Sequence, residues 1–211
     1  MEVHDKNRGN LARYNITAWF YDILDFPWEL RYRGWRPHLV GDVRGRVLEA
    51  GVGTGRNLRH YPPEAELTAL DLSPAMLRKA AGRVREARCP VHFLRGDACM
   101  MDEVPSDAYD WVVATFLCCV LPRELQPAAV GELARVLRPG GRFRLLEMVY
   151  SSDPRLLRRQ RMFTPFVQKV YGARFDRHTL RHVRENRDLV VTGTRFLRHD
   201  IYLLIEGEKR Q

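Results

Sequence analysis

The chain lacks several things that would settle its class at once. No run of apolar residues approaches the ~20 that a helical membrane span requires. The opening Met1-Glu2-Val3-His4-Asp5 has no apolar core segment and does not read as a signal peptide. Cysteine is scarce: Cys89, Cys99, Cys118 and Cys119 form no C-x-x-C and show no metal-ligand spacing. They read as reduced thiols in a cytoplasmic protein, and no metal site is expected. There is no internal repeat, low-complexity tract or obvious linker, so the 211 residues read as one domain. Acidic charge is also in deficit, with 26 Asp and Glu against 35 Lys and Arg and a net charge of +9. That balance suits an anionic partner or a soluble basic surface without choosing between them.

What is present centres on Val47-Leu48-Glu49-Ala50-Gly51-Val52-Gly53-Thr54-Gly55-Arg56-Asn57. A short apolar strand meets an acidic residue and then three glycines at alternate positions. Glycine lets a backbone turn tightly and approach a ligand closely. A second apolar run, Leu67 to Leu70, ends in Asp71, where a carboxylate can accept from both ribose hydroxyls of an adenosine. The dinucleotide fingerprint G-x-G-x-x-G fails, because its third small position holds Arg56.

Strand and helix patterns alternate, which predicts a mostly parallel sheet with helices on both faces. Strands are expected at about 46–50, 67–71, 91–95, 109–116 and 142–149. A helix should begin in the glycine loop and end before Tyr61-Pro62-Pro63. Ser73 reads as an N-cap and Pro74 as the first residue of a helix over 74–87. Another helix, over about 125–137, stops at Arg138-Pro139-Gly140-Gly141. Two β-like runs, 189–197 and 201–206, are close enough for an antiparallel hairpin. The strand ends gather candidate ligand contacts. Asp97 and Ala98 suit an adenine edge, Leu72 the purine face, and Thr115 and Phe116 the wall beside a reacting group.

The spaced glycines after Glu49, Asp71-Leu72-Ser73-Pro74-Ala75-Met76-Leu77, Ala114 to Cys118, and Leu133-Ala134-Arg135-Val136-Leu137-Arg138-Pro139-Gly140-Gly141 follow in order. Together they resemble the class I S-adenosylmethionine methyltransferases. The branch most similar includes ubiquinone/menaquinone C-methyltransferases and bacterial phospholipid N-methyltransferases. Tyr14-Asn15 and Tyr21-Asp22 resemble the Tyr-Asp opening of that branch, with Asn15 where Asp is usual. The resemblance covers roughly residues 13–150. It implies a Rossmann-like seven-stranded sheet with a C-terminal antiparallel hairpin and S-adenosylmethionine as cofactor. It implies that Glu49, Gly51, Gly53, Thr54, Gly55 and Asn57 hold the amino-acid end and Asp71 the ribose, with Met76 beside them.

The chain then divides into an aromatic helical lid over 10–38, a cofactor-binding core over 39–150, a basic helical insert over 151–187 and the hairpin over 188–211. Three of the four tryptophans lie in the first, and the insert carries ten Lys or Arg against three Asp or Glu. Methyl transfer needs alignment more than covalent help, so catalytic residues are weakly marked. The candidates are Tyr14, Tyr21, Glu147 and His178. No Asn/Asp-Pro-Pro-Tyr follows the fourth strand, which argues against a nucleic-acid partner. The expected acceptor is a small or amphiphilic molecule, either a lipid headgroup amine or a quinone-like ring, with peripheral contact to an anionic membrane through the insert. The alternative is a non-catalytic cofactor-binding or membrane-associating protein of the same fold.

Overall fold

The apolar runs pair into one seven-stranded sheet in the computed structural model, which describes residues 3–211. The strands are β1 (Gly45–Ala50), β2 (Ala65–Asp71), β3 (Val91–Arg95), β4 (Tyr109–Thr115), β5 (Leu137–Met148), β6 (Leu189–Phe196) and β7 (Tyr202–Lys209). Their spatial order is β3-β2-β1-β4-β5-β7-β6. The first five run parallel, and β7 lies antiparallel between β5 and β6. The helices are α1 (Arg8–Tyr32), α2 (Arg36–Val40), α3 (Pro74–Gly82), α4 (Gln126–Val136), α5 (Pro154–Tyr171) and α6 (Thr179–Glu185).

Successive strand residues point to opposite faces, so each central strand feeds two cores. Leu48 joins Ala129, Val130, Leu133 and Val183 on the face covered by α4 and α6. Val47 joins Leu39, Val40, Leu58 and Ala80 on the other face, under α2 and α3. The chain leaves β1 toward β2 and β3 on one side, and β4 begins the other side. The crevice between β1 and β4 is the topological switch point where open α/β sheets bind ligands.

Three local expectations need correction. No helix begins in the glycine loop; residues 51–57 turn, and only a 3-10 turn, Leu58–His60, follows. Gly51, Gly53 and Gly55 have φ of +77°, +56° and +80°, and a right-handed helix cannot contain such alternation. The helix at Pro74 stops at Gly82 rather than 87, and a 3-10 turn, Val84–Glu86, carries the chain on. The fifth strand begins at Leu137, five residues earlier than the Pro-Gly-Gly signal suggests. Leu137 pairs with Tyr109, the register shifts, and Arg142 pairs with Trp111. Pro139 and Gly140, the latter at φ +69°, occupy that irregularity instead of ending the element.

Candidate functional site

Gly51 and Val52 both donate their N–H groups to Leu70 O, at 2.8 and 3.0 Å, which ties the glycine loop to the end of β2. At Gly53 a Cβ would meet nothing within 4 Å, so bare backbone opens onto the crevice. Gly55 does something else. A Cβ there would stand 2.9 Å from the Cα of Ala80, so this glycine serves loop-to-α3 packing and does not line the crevice.

Asp71 accepts from Gly53 N at 2.8 Å on Oδ2 and from Ser73 N at 2.9 Å on Oδ1. An ionised carboxylate offers about four acceptor positions, so capacity for two further donors remains. Burial pushes its pKa up to about 6, against the backbone N–H bonds that hold it down. Ser73 caps α3, accepting from Met76 N, and donates its own hydroxyl to Asn15 Oδ1 at 2.7 Å. Glu49 is only 1% exposed. Its Oε1 accepts from Asn57 Nδ2 at 2.6 Å, while Oε2 is buried without a hydrogen bond of its own. Desolvation raises this carboxyl to about 7; Asn57 and the nearby Tyr61 hydroxyl pull it the other way.

A buried network then runs outward to α1. Arg36 donates to Asn57 Oδ1 at 2.7 Å and clasps Glu29 through Nε and Nη2, the shortest contact being 2.6 Å. Asp22, two turns earlier on α1, accepts from Thr54 Oγ1 at 3.0 Å and pairs with Arg56, Lys79 and Arg83. Although desolvation opposes it, Arg83 and these partners hold the Asp22 carboxyl below its ordinary range. Arg83 also donates to the Thr54 carbonyl. Four cations and a threonine thus fix α1 across the glycine loop. Neither Glu29 nor Arg36 was marked by the sequence motifs; their seven-residue separation across a helix break carries no recognisable pattern.

The opposite wall is aromatic. Tyr14, Tyr21 and Trp28 from α1, Tyr171 from the end of α5, and Phe116, Phe175 and Tyr202 all line the crevice. Tyr21 stacks edge-on against Tyr14 and Tyr171, with ring centroids 6.4 and 6.0 Å apart. The Tyr14 hydroxyl donates to Tyr171 O at 2.8 Å, and burial drives its pKa well above the ordinary phenol value. Phe116 adopts φ +58° at the tip of β4, unusual for a bulky residue. It turns the ring against Tyr32 and into the crevice.

Among the sequence-derived candidates, Tyr14, Tyr21, Glu49, Gly51, Gly53, Thr54, Asn57, Asp71, Leu72, Met76, Ala98, Thr115 and Phe116 all border this one crevice. Four do not. Gly55 is accounted for above. Asp97 is fully buried, accepting from Asn7 Nδ2 and Cys99 N on Oδ1 and from His4 N on Oδ2, so it anchors the N-terminal segment. Glu147, 1% exposed, accepts from Cys118 N and Cys119 N, both at 2.8 Å. It braces the turn after β4, and its side chain borders a separate shallow depression shared with His178. Burial raises the Glu147 carboxyl to about 7, opposed by those two N–H donors. The crevice gains Asn7, Asn10 and Arg36, which no motif announced.

Residues 47–141 match the family model described as a methyltransferase domain. A phosphatidylethanolamine N-methyltransferase from Cereibacter sphaeroides is 42% identical over 98 residues, 46% of this chain and 47% of that protein. A ubiquinone/menaquinone biosynthesis C-methyltransferase UbiE from Syntrophotalea carbinolica is 31% identical over 148 residues, 66% of this chain and 61% of that protein. The chain therefore spans about half the length of the curated relatives it matches. Among solved structures, an O-methyltransferase family protein from Burkholderia thailandensis superposes with a TM-score of 0.76 at 16% identity, over 98% of this chain and 63% of that one.

Proposed function

We propose that this chain, which belongs to the class I S-adenosylmethionine-dependent methyltransferases, moves a methyl group onto the amine of an amphiphilic, lipid-like acceptor. The observation that carries this reading is the division of charge around the crevice. Among the described residues its lining carboxylates are Glu49 and Asp71, at the ends of β1 and β2, and the wall from α1, α5 and Phe175 offers aromatic rings and no histidine.

The polar end suits the cofactor on its own chemistry. The buried, unpartnered Glu49 Oε2 suits an ammonium, the Cβ-free edge at Gly53 admits a close ligand, and Asp71 retains acceptor capacity for two hydroxyls. Glu49 and residues 51–54 would hold the amino-acid end, Asp71 the ribose, and Leu72 and Met76 the base. S-adenosylmethionine, when bound, supplies a methyl group made electrophilic by positive sulfur.

The aromatic end suits an amine. The amine gives its ammonium proton to water first and then attacks with the freed lone pair, forming the C–N bond as the C–S bond breaks and leaving a methylated ammonium and a neutral thioether. It needs no general base in the transition state. Tyr14, committed as a donor to Tyr171 O, holds its proton at neutral pH and serves as wall rather than base. The rings around it favour an ammonium product through their negative faces. Alignment and exclusion of water are the chain's main contributions. A quinone-like ring is the second reading, favoured by the same flat aromatic lining.

Two measurements test the proposal. Asp71→Ala and Gly53→Val should each abolish S-adenosylhomocysteine binding in folded protein; unchanged affinity in both would overturn the cofactor assignment. Labelled methyl transfer into phosphatidylethanolamine vesicles should put label in the organic phase as a methylated amine. Label in a quinone fraction would favour the second reading. Cofactor binding with no transfer to any extract would favour the non-catalytic alternative.

A further inference from the structure

One face of α1 is at odds with a helix exposed to water. Among the described side chains between residues 12 and 30, the exposed ones are Ala12, Ile16, Trp19, Phe20, Ile23, Phe26, Pro27 and Leu30. Trp19 is 81% exposed, Ile23 76% and Ile16 66%. At about 100° per residue these positions fall within an arc of about 120°. Among the described side chains of that stretch, no charged group is exposed. The opposite face of the helix carries Tyr14, Asp22, Glu29 and the other groups that close over the crevice. A surface helix ordinarily shows the reverse arrangement, apolar inward and polar outward. A contiguous apolar stripe of this kind marks an interaction surface.

The neighbouring helix extends the pattern and adds charge. The end of α5 meets the middle of α1, where the Tyr171 hydroxyl donates to Leu24 O at 2.8 Å. Along α5, Met162, Phe163 and Phe166 are exposed. So are Arg155, Arg158, Arg159, Arg161 and Lys169, and the helix carries no acidic residue. Both helices also rim the crevice, through Tyr14, Tyr21 and Trp28 on one and Val167 and Tyr171 on the other.

We infer that the outer face of α1, together with the exposed arginines and aromatics of α5, docks on an anionic lipid surface, with the crevice mouth brought to the membrane. Tryptophan, phenylalanine and isoleucine enter the boundary between headgroups and acyl chains, while flanking arginines meet anionic headgroups. Charge selects this occupant over a second copy of the chain, since two bodies of net charge +9 repel one another. No helix among the described residues is long and apolar enough to cross a membrane, so the contact is made in the interfacial plane. That the docked surface also delivers the acceptor rests on the methyl-transfer reading above; the docking itself does not.

The test is co-sedimentation of the full chain with phosphatidylcholine vesicles and with phosphatidylcholine–phosphatidylglycerol vesicles, alongside S-adenosylhomocysteine binding. The wild-type chain should sediment with the anionic vesicles and lose that binding in high salt. Trp19→Glu with Ile23→Glu should weaken partition by at least about tenfold, and Arg158→Glu with Arg159→Glu by about tenfold. Both double variants should bind S-adenosylhomocysteine like the wild type, which shows that they fold. Absence of wild-type binding to anionic vesicles overturns the docking proposal, as does full binding by the Trp19/Ile23 variant. A wild-type dimer that this variant dissociates, without vesicle binding, overturns it in favour of self-association. Vesicle binding without S-adenosylhomocysteine binding leaves the docking intact and removes the methyl-transfer reading instead.

Discussion

Asp71 and Glu147 are both acidic residues at strand ends, yet their surroundings give them different work. Asp71 borders the crevice with two N–H donors and open acceptor positions. Asp71→Asn keeps the shape but sets an amide N–H against a backbone N–H. Affinity for S-adenosylhomocysteine should fall by at least about tenfold in calorimetry. Glu147 spends its oxygens on the backbone of Cys118 and Cys119. Glu147→Ala should cost about 2–5 kcal/mol in urea denaturation, because two buried donors lose their acceptor. The glycine spacing and Asp71 were legible in sequence because backbone conformation and strand-end position are local properties. The separate tasks of Gly55, Asp97 and Glu147 were not, since each is set by a partner distant in the chain: Ala80, Asn7 and the turn after β4.

At the scale of the element, α1 behaves as a strap. Its inner face is pinned by Asn15 to Ser73, by Asp22 to Thr54 and three cations, and by Glu29 to Arg36. The aromatic content of this segment predicted a lid, but an aromatic count does not say which rings turn inward. Nothing in it marked the buried Glu29–Arg36 pair. Arg36→Met leaves the buried Glu29 with only the longer Arg56 contact at 3.7 Å and frees Asn57 Oδ1, so it should destabilise the fold by about 3 kcal/mol. Glu29→Met combined with Arg36→Met should recover most of that loss in the same denaturation series, because the poorly compensated buried charge is gone. The expected helix after the glycine loop failed for a related reason. A helix expected to begin in the glycine loop and end before Tyr61 takes no account of the positive φ values that accompany the bonds to Leu70 and the contact with Ala80.

Across the whole molecule, buried acids set an unusual pH response. Glu49 and Glu147 are raised to about 7 and Asp71 to about 6, each chiefly by desolvation. The folded chain therefore holds more protons than the unfolded chain between the ordinary carboxyl range and about pH 7, and stability falls as pH rises through that window. Asp22, Asp42, Asp110, Glu132 and Asp176 are lowered, so their contribution is lost as pH falls below the ordinary range. The maximum in thermal stability should lie near pH 5. Glu49→Gln should flatten the decline between about pH 5 and 8, with one such group worth roughly 3 kcal/mol. A melting temperature that climbs steadily from pH 5 to 8 in the wild type would contradict this assignment.

The sequence by itself determined the parallel sheet, the hairpin at its edge and the glycine–aspartate end of the crevice. Those features follow from apolar runs, glycine spacing and turn residues, all of which act over a few neighbours. Only the tertiary structure decided what faces that end. It brought α1 across the glycine loop through Asp22 and the Arg36 network, and it turned Tyr14, Tyr21 and Trp28 inward. It also left Trp19, Ile23 and Phe26 facing outward. The inward Tyr14, Tyr21 and Trp28 and the outward Trp19, Ile23 and Phe26 are all large aromatic or aliphatic residues in sequence. Their division depends on long-range charge pairing that fixes the rotation of the helix, which no local pattern encodes.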